Sequence, residues 1–309
     1  MRKIHYHLVD VFTDRIFGGN QLAVIPNGRG ISTELMQSIA REFNFSETTF
    51  VLPPEDAGND YRLRIFTPAQ ELPMAGHPTI GTTFVLARER MVEPAAANAG
   101  RSMIRLEEGV GTIPVSIEWR AGEPVYAEMQ QLPPTFGPRF EDIELLAEVL
   151  SLDAREITGT KLPVEVVSCG VPFLYVPVES LDAIRRIRFR ADLWERVSQD
   201  LQVLGLFVLT REVEVEGSSV HSRMFAPGAG VGEDPATGGA SGPLGCYLVR
   251  YRVVGDAGAT AEFTSEQGIE MGRPSFIKIR IEQSGGEISG VHVGGACRFV
   301  GEGFLEVGQ

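Results

Sequence analysis

The sequence predicts an α+β fold made of two similar halves, each a mixed β-sheet barrel wrapped round a central helix. Three observations predict it. "RIFTPAQELPMAGHPTIG", from Arg64, is echoed by "RMFAPGAGVGEDPATGG", from Arg223. Both read Arg, apolar, Phe, small residue, Pro, a loop, then a polar residue, Pro and Thr. The echo extends outward in the same order: "TTFVL" and "GLFVL" precede the two copies, and "EEGVGTIPVSIE" and "EQGIEMGRPSFIKIRIE" follow them. Ordered self-similarity over half a chain is the mark of a duplicated architecture. Lastly, each copy runs into an apolar segment long enough to form a buried helix.

The elements follow in order. "HYHLVDVF" and "GNQLAVIP" read as strands. In "STELMQSIAREF", Leu35, Met36, Ile39, Ala40 and Phe43 share one helical face, with Ser32 or Thr33 as the cap. "TTFVL" and "YRLRIFTP" are strands by their β-branched and aromatic content. "TIGTTFVLARER" is apolar nearly all round until Arg88, as a buried central helix requires. In the second half "GVPFLYVPV" is a strand. "ATGGASGPLGCYLVRY" is the second central helix, its small residues admitting close neighbours. "GEPVYAEMQQLPPTFGPRF" carries four prolines and suits a crossover near 122–140. The expected division is 1–125, completed by a C-terminal strand at 288–309, and 126–287.

Composition limits the function. There are 28 Lys and Arg against 41 Asp and Glu, a net charge of −13. That argues against nucleic acid or an anionic membrane as partner. No apolar run approaches the ~20 residues of a bilayer span. The N-terminus lacks the apolar core of a signal peptide. Cys169, Cys246 and Cys297 are odd in number and widely spaced, so no disulfide framework is expected and a cytoplasmic location is the default. The five histidines are scattered. His5 and His7 share a strand face, with no further cluster to complete a metal set, and no metal is expected.

The glycine-rich run "MFAPGAGVGEDPATGGASGPLGCYLV" (224–249) has no lysine between Gly228 and Gly245, and no strict G-x-G-x-x-G. A phosphate loop is therefore disfavoured. What remains is a loop ending at a helix start, twice. Pro78 and Pro235 stand where a first-turn proline belongs. Asp234 reads as an N-cap, with His77 in the matching place. Each helix start is an anion seat, so a substrate carboxylate needs no arginine. Glu47, in "NFSETTFVL", falls where the first helix ends and a buried strand begins. Phe45, Phe50 and Val51 are its apolar neighbours. Burial raises a carboxyl toward about 6–7, where it both takes and gives protons. Ser46 lies beside it.

These motifs, with "VDVFTDRIFGGNQLAVIP" and "GIEMGRPS", resemble the phenazine-biosynthesis isomerase family, PhzF-like proteins of diaminopimelate epimerase-like fold, over nearly the whole chain. The resemblance implies a cofactor-free and metal-free proton shift in an interdomain cleft, by a homodimer. The implied substrate is a small anionic cyclic acid resembling trans-2,3-dihydro-3-hydroxyanthranilate. It places the glutamate acid/base on Glu47 and the substrate contacts on Ser46, Gly76, His77, Asp234, Thr237, Gly238 and Gly239. The family commonly has serine where Gly239 stands; Thr237 and Ser241 are the nearby hydroxyls. Related racemases use two cysteines, and Ala75 and Thr237 stand at those places. An amino-acid epimerase-like activity and a non-catalytic binding homologue are the alternatives.

Overall fold

A computed structural model describes residues 2–94, 100–255 and 258–308. The chain divides into two compact units: the stretch to Gln130 together with Val293 onward, and Gln131–His292.

The first unit contains β1 (Arg2–Val11), β2 (Asn20–Ile25), α1 (Thr33–Phe43), β3 (Glu47–Leu52), β4 (Tyr61–Phe66), the short β5 (Glu71–Leu72), α2 (Gly76–Arg88), β6 (Gly100–Glu108), β7 (Gly111–Arg120) and β8 (Glu123–Gln130). In the second lie β9 (Thr135–Arg139), α3 (Ile143–Leu150), α4 (Ala154–Thr158), β10 (Glu165–Ser168), β11 (Pro172–Pro177), α5 (Leu181–Arg186), α6 (Ala191–Ser198), β12 (Gly205–Thr210), β13 (Val220–Ala226), β14 (Val231–Asp234), α7 (Gly238–Arg250), β15 (Thr260–Gln267) and β16 (Ser275–Ser284). β17 (Glu287–Gly295) and β18 (Cys297–Val307) end the chain.

Both units make the same series of pairings. β2 lies parallel to β3, β3 antiparallel to β4, and β4 parallel to β6. Likewise β11 lies parallel to β12, β12 antiparallel to β13, and β13 parallel to β15. Helices make the parallel crossovers, α1 in one unit and α5 with α6 in the other, as parallel neighbours require. β18 closes the first unit by pairing with β1 along its whole length.

Local chemistry sets the helix bounds. The Ser32 hydroxyl accepts the Leu35 amide, and Asn44 ends α1 in the left-handed region at φ +52°. Of the predicted face, Met36, Ile39 and Ala40 are buried with Phe50 and Phe66. In α2 every residue from Gly76 to Ala87 is buried, as its all-round apolar sequence requires. A methyl at Gly81 would come within 2.7 Å of the Leu22 and Val11 side chains, so the bare backbone is what lets β1 and β2 approach. α7 is buried from Gly238 to Leu248. α3 and α4 were not anticipated, although Asp142 and Asp153 cap them through the Leu145 and Arg155 amides. They cover a second core layer with α5 and α6. Among the described residues, no helix is long and apolar enough to cross a membrane.

The turn after β15 depends on one glycine. Gly268 has φ +74°, and a Cβ there would lie 2.5 Å from the Pro235 carbonyl and 2.6 Å from that of Arg273. Both obstacles are backbone and cannot swing aside. Gly268→Ala is expected to destabilise by about 2–4 kcal/mol, adding left-handed strain to overpacking. Urea unfolding, with unchanged m, checks it.

Candidate active site

Glu47 opens β3, directly after the α1 C-cap, as the sequence reading placed it. Strand alternation then decides its surroundings. Glu47, Thr49 and Val51 share one face, and Thr49 bonds to Thr82 of α2 through their hydroxyls at 2.8 Å. Phe50 points the other way, edge-on to Phe66 in the core beneath α1. The expectation that Phe50 walls in Glu47 is therefore corrected. Phe45 stacks on Phe43.

What faces Glu47 is His77. Glu47 Oε2 and His77 Nε2 lie 3.2 Å apart, with side-chain exposures of 12% and 4%. The contact is close, though too bent for a well-aligned hydrogen bond. On the far side of the ring, the Asn20 side-chain amide meets Nδ1 at 3.1 Å. Burial drives the His77 pKa down to about 3, against a smaller upward pull from the Gln21 carbonyl. His77 is therefore neutral, and the pair is not a true salt bridge. Gly76 and His77 form the first turn of α2, whose N-cap is Ala75; no side chain caps it.

A second carboxyl steadies that helix start. The Thr79 hydroxyl lies 2.6 Å from the Ala75 carbonyl and 2.5 Å from Glu108 Oε1. The hydroxyl is the donor to both oxygens, and Glu108 is buried. Burial pushes its pKa up to about 8, and the Thr79 bond pulls modestly the other way. The unfolded chain releases this proton near the ordinary carboxylate value. Folding thus loses free energy as pH rises from about 4.5 to about 8. Glu108→Gln keeps an acceptor for the Thr79 hydroxyl and has no proton to release. It is expected to gain roughly 2–3 kcal/mol at pH 8 and to flatten the stability profile over that range. Denaturant titrations at several pH values test both.

In the second unit, α7 begins at Gly238 with Thr237 as its N-cap. This corrects the reading of Asp234 as the cap: it ends β14, and Pro235 lies before the helix, whereas Pro78 lies inside α2. Asp234 Oδ2 instead accepts the Thr237 hydroxyl at 2.6 Å. Gln267 clasps the turn, its amide donating to the Asp234 carbonyl at 2.7 Å and to Thr237 Oγ1 at 3.0 Å. Gly238 and Gly239 are buried. The Ser241 hydroxyl is fully buried and donates to the Thr237 carbonyl. Both hydroxyls near Gly239 are thus already engaged. Ala75 and Thr237 are the two helix N-caps, and neither is a thiol. Cys169 and Cys246 are buried with their sulfurs 4.0 Å apart, and Cys297 is buried as well.

Sequence reasoning missed Asn20, Glu108 and Gln267. Asn20 lay within a quoted motif. Glu108 and Gln267 sit in strand ends where a polar side chain reads as surface.

The family model "Phenazine biosynthesis-like protein" matches residues 9–303, and the chain belongs to that family. It is 37% identical to the trans-2,3-dihydro-3-hydroxyanthranilate isomerase of Pseudomonas aeruginosa, covering 96% of this chain and 98% of that one. Among solved structures it is similar to a Bacillus anthracis phenazine biosynthesis protein of the PhzF family, with TM-score 0.89, 28% identity and coverage of 99% and 100%. A probable proline racemase from Agrobacterium radiobacter shares the fold at TM-score 0.69 and 12% identity, covering 99% of this chain and 93% of that one. The fold is therefore mixed α/β and epimerase-like.

Proposed function

We propose that the chain is a cofactor-independent isomerase that moves a proton within a small anionic cyclic acid, with Glu47 as its single acid/base. The observation that carries this reading is the buried Glu47–His77 pair. Glu47 takes a proton from a ring carbon while the C–H electrons enter the ring's π system. Held on Glu47, that proton exchanges with solvent before one is delivered to a second carbon on the same face, and a double bond shifts between them. His77, kept neutral by burial, stands against the carboxylate and positions it without neutralising it. A cationic histidine there would lower the basicity of Glu47; a neutral one orients it.

Asp234, Thr237, Gly238 and Gly239 are proposed to bind the same substrate, with the amides at the starts of α2 and α7 attracting its carboxylate. The name of the Pseudomonas relative supports a dihydro-hydroxyanthranilate-like ring. Descent from an internal duplication is part of the proposal. Arg64 and Arg223 open the two motif copies, and each grips a glutamate with two nitrogens, Glu71 and Glu233. A two-thiol racemase reading lacks its sulfurs at Ala75 and Thr237.

The test is incubation with trans-2,3-dihydro-3-hydroxyanthranilate in the presence of a strong metal chelator, followed by ultraviolet absorbance. Steady conversion is expected, unaffected by thiol alkylation. Binding without conversion would identify a non-catalytic homologue instead.

A further inference from the structure

The sequence reading left His5 and His7 without a partner set, because the third member lies almost 300 residues away. The β1–β18 register brings it in. His7 stands directly opposite Glu302, and His5, two residues earlier, shares its face. Glu302 Oε2 lies 3.4 Å from His7 Nδ1 and 3.5 Å from His5 Nε2, and the three ligand atoms all fall within 4.8 Å of one another. We propose that His5, His7 and Glu302 bind one zinc-class divalent cation, which clasps the first strand of the chain to the last.

Five features argue for a cation over simple ion pairs. Bonds of about 2.0–2.1 Å in tetrahedral geometry require ligand atoms about 3.3–3.5 Å apart, and two of the three spacings already match. Two imidazoles and a carboxylate are the donors such ions prefer, and three protein ligands leave the fourth position to water. His7 is 1% exposed, and its other nitrogen, Nε2, stands 2.8 Å from Glu89 Oε1. A carboxylate behind the second ring nitrogen is the usual outer support of a metal-bound histidine. The rings are also held: His5 stacks on Phe304 at 4.9 Å, and His7 meets His5 edge-on at 4.6 Å and Phe299 at 6.4 Å. Finally, Glu89 is the C-cap of α2, so the cluster sits at the negative end of that helix, where a cation is favoured.

The place is separate from the chemistry. His77 and Glu89 are at opposite ends of α2, about 18 Å apart along its axis. The site is thus a clasp and takes no part in the proton shift.

The experiment is calorimetric titration of Zn²⁺ into chelator-stripped protein, repeated with His5→Ala, Glu302→Gln and a control, Glu306→Gln. Both site positions are partly exposed, so these variants are expected to fold; thermal melts without metal confirm it. Wild type and Glu306→Gln should bind one equivalent, and Zn²⁺ should raise their melting temperature. His5→Ala and Glu302→Gln should each bind at least about tenfold more weakly, in keeping with the loss of one ligand. Co²⁺ in place of Zn²⁺ should give the visible absorption of a four-coordinate centre in wild type and Glu306→Gln but in neither His5→Ala nor Glu302→Gln. Absence of saturable Zn²⁺ binding by wild type would overturn the proposal. Equal binding by His5→Ala and Glu302→Gln would also overturn it, by placing the ion elsewhere.

Discussion

Glu47→Gln is expected to lower turnover by about 10²–10⁴-fold while leaving the fold and substrate binding intact, the usual contribution of one positioned acid/base. The amide keeps the volume of the carboxyl and its place beside His77 Nε2. What it loses is the capacity to hold a proton between two carbons. The effect should therefore fall on kcat, with KM little changed. His77→Ala should behave differently. Glu47 would remain, but without the neutral imidazole 3.2 Å away. A smaller loss in kcat is expected. Steady-state kinetics on the two variants separates a group that carries the proton from one that orients it. Equal losses would mean that the pair acts as a single unit.

The second large effect concerns stability and lies in the other unit. His221 is fully buried between two carboxylates, Nδ1 2.8 Å from Glu266 and Nε2 2.8 Å from Glu270. Burial disfavours its charge, but the two carboxylates override it and raise its pKa to about 9. The same arrangement holds both glutamates below their ordinary range despite burial. His221 is an imidazolium, and Glu266 also accepts the Glu214 and Val215 amides, pinning that loop to β15. Removing the cation leaves two anions facing each other in a dry site. His221→Ala is expected to destabilise by about 3–5 kcal/mol at pH 7. The sign with pH follows from linkage. The folded pKa of His221 is raised, so its contribution is complete below about 6.5 and is lost as pH rises through about 9. The glutamates' contribution is present above about 4.5 and is lost in acid. Wild type should lose stability between pH 7 and 10 more steeply than His221→Ala. Denaturant titrations across that range decide it; parallel slopes would mean that His221 is neutral in the fold.

Local and periodic features of this architecture were readable before any coordinates. The helix α1 follows from its apolar face and Ser32, and the buried α2 from "TIGTTFVLA". Glu47 was placed at the strand start because the helix before it and the β-branched run after it meet there. His77 was placed by its position before Pro78 in a repeated motif. The face of Phe50 was readable too, since alternation from Glu47 puts it opposite; adjacency in sequence was mistaken for adjacency in space. Other features depend on distant pairing. His221 meets partners 45 and 49 residues away, and Thr79 meets Glu108 only after a strand returns to the helix. No local signal marks such acids as buried. Asp234 was misread for a different reason. A residue before proline favours an extended backbone, and here β14 runs to Asp234 before α7 begins.

The most direct test of the central claim is a reaction run to partial conversion in D₂O, with wild type and Glu47→Gln, and deuterium located by NMR. The prediction for wild type is deuterium at the single carbon that receives the proton, with the donor carbon stripped of hydrogen; Glu47→Gln should label neither carbon. Product from Glu47→Gln at the wild-type rate, labelled in the same way, would show that another group moves the proton.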